Sequence, residues 1–138
     1  MVVHGDIHMK NVMMVDNEPM LIDMDTLGQG NPVFDLAGIY VTYQAFEEDD
    51  PDNGMSFLQM PNEEADKLWH CIIENYFDFR DDVDRQSTIN KIALAATIRF
   101  LFLLETTDLK ESDLGRKRIA HTITHIEELL ETVTSLAI

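Results

Sequence analysis

The first stretch of the chain gathers His4, Asp6, His8, Asn11, Asp23 and Asp25 around two short apolar runs. His4-Gly5-Asp6 follows Val2 and Val3, and Asn11 stands five residues after Asp6. Val12–Val15 and Met20–Ile22 are strand-like, and Asp16-Asn17-Glu18-Pro19 between them is a cluster of turn formers. A hairpin is therefore predicted, and it carries the chain out and back, so that Asp23 returns towards Asp6 and Asn11. Two carboxylates and an amide oxygen are hard ligands. They suit Mg²⁺, which takes a few carboxylates together with water and substrate phosphates in preference to a closed protein cage. Such a set serves phosphoryl transfer: one carboxylate accepts the proton of an attacking hydroxyl while the Asn and the second Asp hold the metal.

The spacing from Asp6 to Asn11 equals that of the protein-kinase catalytic loop, H-R-D-x-x-x-x-N. Gly5 stands in place of the Arg, and Ile22-Asp23-Met24-Asp25 occupies the place of D-F-G. Three blocks in order, HGDIHMKN, LIDMD and GNPVFDLA, resemble the aminoglycoside phosphotransferase and choline kinase group of kinase-like enzymes. The group's patterns are H-G-D-x-H-x-x-N, I-D-x-[DE] and G-x-P-x-x-D-L-A. The fixed positions are filled by His4, Gly5, Asp6, His8, Asn11, Ile22, Asp23, Asp25, Gly30, Pro32, Asp35, Leu36 and Ala37. The likeness covers residues 4–37; the rest carries no motif of the group.

The resemblance implies a mainly α (α+β) fold, the C-terminal lobe of a protein-kinase-like domain, with the catalytic loop and metal-binding hairpin in 1–37 and a helical body over 35–138. It implies Asp6 as catalytic base and His8 as a contact to the transferred phosphate. Asn11 and Asp23 become Mg²⁺ ligands, and Asp25 joins the metal set, either as a further ligand or as support to one. His4 and Asp35 support the loop, Asp35 by accepting hydrogen bonds from loop backbone amides. ATP or GTP is the implied phosphate donor, and the implied acceptor is a hydroxyl of a small molecule: aminoglycosides, choline-like amines, homoserine-like metabolites or sugars. Cationic acceptors would suit the acidic run EEDDPDNG at 47–54, although such a run is more commonly an ordinary solvated loop.

A nucleotide cradle is not visible in these residues. Neither G-x-G-x-x-G nor G-x-x-x-x-G-K-[ST] occurs, and none of the five lysines (10, 67, 91, 110, 117) precedes the catalytic loop. The expectation is a chain that begins inside a kinase-like domain and, by itself, binds Mg-ATP weakly and turns over negligibly. Apolar surface that a nucleotide-binding lobe would cover then invites self-association. Two other readings compete: a non-catalytic remnant acting as a binding module, and a metal-dependent hydrolase built on His4, Asp6 and His8. The second wants more histidine ligands than the segment supplies.

The elements that must position these side chains follow from periodicity. After a loop with Gly28, Gly30 and Pro32, a helix begins near Asp35 with Leu36, Ile39, Tyr40, Tyr43 and Phe46 on one face. Asn62 is expected to cap a second helix with Ala65, Leu68, Trp69, Ile72 and Tyr76 as its stripe. A third, about Arg85 to Glu105, turns apolar nearly all round after Lys91 and should lie at the centre. The fourth, about Asp113 to Leu136, has Ile119, Ile123, Ile126, Leu130 and Val133 down one side.

At 138 residues and 45% hydrophobic content the chain suffices for one domain with a real core. Asp and Glu number 26 against 10 Lys and Arg, a net charge of −16, which repels phosphate backbones and anionic lipid and argues against nucleic-acid and membrane partners. The run Ile92–Leu104, broken by Arg99, falls short of the ~20 residues a bilayer span needs. One cysteine, Cys71, excludes an internal disulfide, and with no secretory leader a cytoplasmic setting is expected. His121 and His125 share a helix face but lack an acidic partner, Arg116-Lys117-Arg118 reads as a solvated basic face, and the eight methionines read as core filler.

Overall fold

A computed structural model describes residues 1–45, 55 and 58–138. The acidic run 47–54 and Phe46 lie outside the described residues. In chain order the elements are β1 (Val2–Val3), a 3₁₀ turn Met9–Asn11, β2 (Val12–Val15), β3 (Glu18–Leu21), a 3₁₀ turn Met24–Thr26, β4 (Gly28–Gln29), and α1 (Val33–Tyr40) running into a π-helical turn Val41–Ala45. Then come α2 (Asn62–Tyr76), α3 (Asp82–Thr106), a 3₁₀ turn Asp108–Glu111 and α4 (Asp113–Leu130). The described chain is mainly α, with two small antiparallel sheets, β1–β4 and β2–β3.

The predicted hairpin forms with a tighter turn. Asp16 and Asn17 alone make it, at φ of 51° and 67°, the left-handed backbone that two-residue hairpin turns require and that Asp and Asn tolerate. The return strand thus begins at Glu18 and includes Pro19, opposite Met14. That pair lies outside the hydrogen-bonded rungs, so the missing proline N–H removes no ladder bond.

The core lies between α1, α2 and α3. Val33, Leu36 and Ala37 of α1 meet Trp69 and Ile73 of α2 and Ile92, Ala96, Phe100 and Leu104 of α3, all buried. Tyr40 and Trp69 pack edge to face, centroids 5.3 Å apart at 89°. Ala93 and Leu94 on the other side of α3 join Leu129 and Val133 in a second cluster. By length and composition α3 would suffice to cross a membrane; here its apolar residues form the centre of both clusters.

Several sequence expectations shift. Asn62 is the first residue of α2 and no side chain caps that helix; Asp81 caps α3 by accepting from the Asp84 N–H, and Ser112 caps α4 through Gly115 N–H. The buried stripe of α2 is Ala65, Trp69 and Ile73, with Tyr76 exposed. Along α3, residues 92–97 are buried all round, as expected of a central helix, and only beyond them is burial one-sided, with Ile98 and Phe102 facing outward. The inward face of α4 runs through Arg118, Thr122 and Leu129, leaving Ile123 and Leu130 exposed, and the helix stops at Leu130. Arg118 therefore does not belong to a solvated basic face, whereas Arg116 does, paired with Asp113. Nor are the methionines core: seven of the eight (1, 9, 13, 14, 20, 24 and 55) are exposed.

Candidate active site

Residues 4–11 form a loop between β1 and β2, held from three directions. From α1, the Asp35 carboxylate accepts the His4 N–H at 2.7 Å and the Gly5 N–H at 2.6 Å, one on each oxygen. From the turn after β3, the Thr26 hydroxyl donates to the His4 carbonyl at 2.6 Å. From α3, both terminal nitrogens of Arg99 lie 3.3 Å from the Gly5 carbonyl and donate to it. Gly5 itself sits at φ +85°, and a Cβ there would come within 3.0 Å of the Thr26 side chain and carbonyl. Only glycine fits both the backbone angle and the space.

His4 is buried and bridges the loop to the hairpin. Its Nδ1 accepts the Asp6 N–H at 3.3 Å, which places the ring proton on Nε2, donated to the Ile22 carbonyl at 3.0 Å. The Ile22 N–H in turn donates to the Asn11 carbonyl at 2.9 Å. Ile22 is thus tied to both ends of the loop, and the next residue, Asp23, is delivered beside it. Asp23 adopts the left-handed conformation, φ 61° and ψ 61°, and opens the Met24–Thr26 turn that carries Asp25.

Asn11 is buried and donates its amide nitrogen to the Asp6 carbonyl at 2.9 Å, which leaves the amide oxygen as the atom able to meet a cation. Asp23 and Asp25 are exposed, and neither carboxylate has a protein hydrogen bond or ion pair among the described residues. An amide oxygen and one or two unengaged carboxylates fit Mg²⁺, which completes its shell with water and phosphate oxygens. Among the described residues no three His, Cys, Asp or Glu side chains form a cage, so a closed site of the zinc type is not built here.

The Asp6 side chain is half-exposed, with His8 Nε2 at 3.7 Å from one oxygen and Arg99 Nη2 at 3.8 Å from the other. Both separations exceed a hydrogen bond, so the carboxylate lies between two potentially cationic groups with its lone pairs still open to a proton donor. His8 is mostly buried, and its Nδ1 has no hydrogen-bond partner among the described residues. The Met9 N–H donates to the Tyr43 hydroxyl at 3.0 Å; burial pushes that phenol's pKa up, and the Met9 bond offsets part of the shift.

The model of the Phosphotransferase enzyme family (APH) matches residues 1–69, half of the 138-residue chain. The chain belongs to that family. Comparison with curated proteins and with solved structures returned no match.

The phosphotransferase match takes in the loop, the hairpin, α1 and most of α2, and ends before α3. Arg99, which holds Gly5 and flanks Asp6, lies beyond it. Sequence reasoning passed over Arg99, Thr26 and Tyr43 as site residues. Only Arg99 left a signal, as the one charge inside the apolar run 92–104.

A cavity of about 520 Å³ adjoins the loop on the His8 side. It is lined chiefly by Ile7, Leu36, Ile39, Leu68 and Ile72, and the one carboxylate there, Asp35, is already bonded to the loop amides. Among the described residues it presents no acidic cluster to a cationic ligand.

Proposed function

We propose that this phosphotransferase moves a phosphoryl group from Mg-ATP or Mg-GTP to the hydroxyl of a small molecule, and that residues 1–138 are the C-terminal lobe of a kinase-like domain. The observation that carries this reading is the state of Asp6: its backbone is bonded on both sides, through Nδ1 of His4 and the Asn11 amide, while its carboxylate remains half-exposed and free of hydrogen bonds. A general base requires that combination of fixed position and available lone pair.

In the proposed reaction the acceptor hydroxyl oxygen forms a bond to the γ-phosphorus as the bond from that phosphorus to the β–γ bridging oxygen breaks. The hydroxyl proton passes to Asp6, and the nucleoside diphosphate leaves. His8 and Arg99 flank Asp6 and supply donors towards the phosphoryl oxygens. Asn11 and Asp23, with Asp25 beside them, would hold Mg²⁺, which neutralises phosphate charge. The acceptor's class beyond a small alcohol is open to assay, and its cationic character would rest on the run 47–54. The net charge of −16 speaks against nucleic-acid and membrane partners, and the single Cys71 is in keeping with a reducing, cytoplasmic setting.

The test is phosphate transfer from Mg-ATP to a panel of aminoglycosides, choline, homoserine and sugars, using the longest natural form of the protein. Asp6→Asn is expected to lower the rate by roughly 10²–10⁴-fold with an unchanged circular dichroism spectrum. A folded Asp6→Asn protein that keeps the wild-type rate would remove Asp6 from the base role.

A further inference from the structure

The cavity beside the loop lies between two helix faces. Leu36, Ile39 and Tyr43 recur at spacings of three and four along α1 and the π-helical turn that extends it, and Leu68, Ile72 and Tyr76 recur every four along α2. Residues so spaced share a face of a helix. The α2 stripe is not the one that joins that helix to the core. Ala65, Trp69 and Ile73 do that, while Leu68 and Ile72 stay half-buried and Tyr76 is exposed. α2 therefore carries a second apolar stripe, one residue away from the first, and turns it towards about 520 Å³ of space. Of the hairpin only Val12 reaches the cavity, and none of Asp6, Asn11, Asp23 and Asp25 lines it.

One polar group on these walls is incompletely used. The Tyr43 hydroxyl accepts the Met9 N–H at 3.0 Å, and its own proton goes to no acceptor among the described residues. Burial raises the phenol's pKa, so that proton is retained at neutral pH. Tyr43 stands in a π-helical turn, a rare element found frequently at functional sites. Charged ligands lack a counter-group here. No Lys or Arg is among the lining residues, the Asp35 oxygens hold the His4 and Gly5 amides, and an unpaired charge in apolar surroundings is costly.

We infer that this cavity binds a small neutral molecule with an apolar body and one hydrogen-bond-accepting oxygen, which accepts the Tyr43 O–H. The volume falls within the range of about 300–1,000 Å³ of small-molecule sites. The bound oxygen completes a chain from the Met9 N–H through the Tyr43 hydroxyl to the ligand. Hydrogen bonds in such a chain strengthen one another, so occupancy tightens the loop at Met9, next to His8. The site rests on α1, α2 and Tyr43, and stands or falls separately from the phosphate chemistry.

The probe is 2-phenylethanol, set against phenethylammonium and phenylacetate, which share its body and carry opposite charges. In NMR titrations of the intact chain, the alcohol is expected to shift the Ile39 and Ile72 methyl signals and the Met9 amide saturably. Both charged analogues are expected to bind at least about tenfold more weakly. Tyr43→Phe, checked for an unchanged circular dichroism spectrum, is expected to weaken the alcohol about tenfold. Ile72→Trp, which fills the cavity from the α2 side, is expected to abolish binding. The absence of a saturable shift up to the alcohol's solubility overturns the proposal, as does equal binding of either charged analogue or undiminished binding in Ile72→Trp. Wild-type affinity in a folded Tyr43→Phe protein overturns the hydrogen bond on which the ligand's chemistry was assigned.

Discussion

Asp35→Asn tests how the loop of residues 4–11 is held. The carboxylate accepts the His4 and Gly5 amides at 2.7 and 2.6 Å, one on each oxygen. An amide in its place retains one acceptor and turns an NH₂ donor against the other N–H. One charge-assisted bond is lost and one part-buried N–H is left unpaired, a change of about 2–4 kcal/mol on the scale of 1.5–3 kcal/mol for a hydrogen bond to a charged group. At about 2.1 cal/mol/K of unfolding entropy per residue, the 138 residues convert that to a fall in Tm of about 7–14 °C. Far-UV circular dichroism reads the melting. Amide hydrogen exchange read by NMR supplies the local test, with the His4 and Gly5 amides expected to lose protection while the α3 core amides Ile92 and Ala96 keep theirs. Unchanged melting within about 1 °C, or undiminished protection at both amides, would refute the idea that Asp35 anchors the loop.

Two further predictions follow from the same geometry. Arg99→Met keeps an aliphatic stem but deletes the guanidinium that lies beside Gly38 and both donors to the Gly5 carbonyl; a loss of about 1–3 kcal/mol by urea denaturation is expected, with Arg99→Lys restoring part of it, and an Arg99→Met protein of native stability would show the contact to be incidental. Tyr43 has a folded pKa raised by burial, so its contribution to stability is present below the unfolded value of about 10 and fades as the pH climbs through the folded value; Tyr43→Phe should flatten the alkaline part of the stability–pH curve, and an unaltered curve would count against it.

The hairpin, the four helices and the mainly α character were readable from period and turn chemistry, because those signals are local. The readings that failed did so where a polar residue occupies a buried position. On α4 the inward face passes through Arg118 and Thr122, so of the expected apolar stripe Ile119, Ile126 and Val133 pack on the core while Ile123 and Leu130 are left outside. On α2, Ile73 is fully buried while Ile72 beside it is only half-buried, a choice set by where α1 and α3 lie and not by the sequence of α2. The exposed methionines misled for the opposite reason: an apolar run says that a surface is covered, but not by which chain. The loop's supports were hidden by distance along the chain, since Thr26, Tyr43 and Arg99 act on residues 22, 34 and 94 positions away.

The loop's polar groups divide along a line that has chemical meaning. Its backbone is largely engaged: His4 and Gly5 N–H by Asp35, their carbonyls by Thr26 and Arg99, Asp6 N–H by His4, its carbonyl by Asn11, and Met9 N–H by Tyr43. Among the described residues, the side chains of Asp6, Asp23 and Asp25 receive no hydrogen bond. A loop stabilised only for folding would have no reason to keep Asp23 and Asp25 without an ion pair, because unpaired carboxylates add repulsion in an already acidic chain. Fixing the backbone from behind while leaving carboxylates open in front stabilises a charged constellation that a cation or a proton donor completes, without reorganisation when it arrives. That division argues more strongly for chemistry at this loop than any single residue in it.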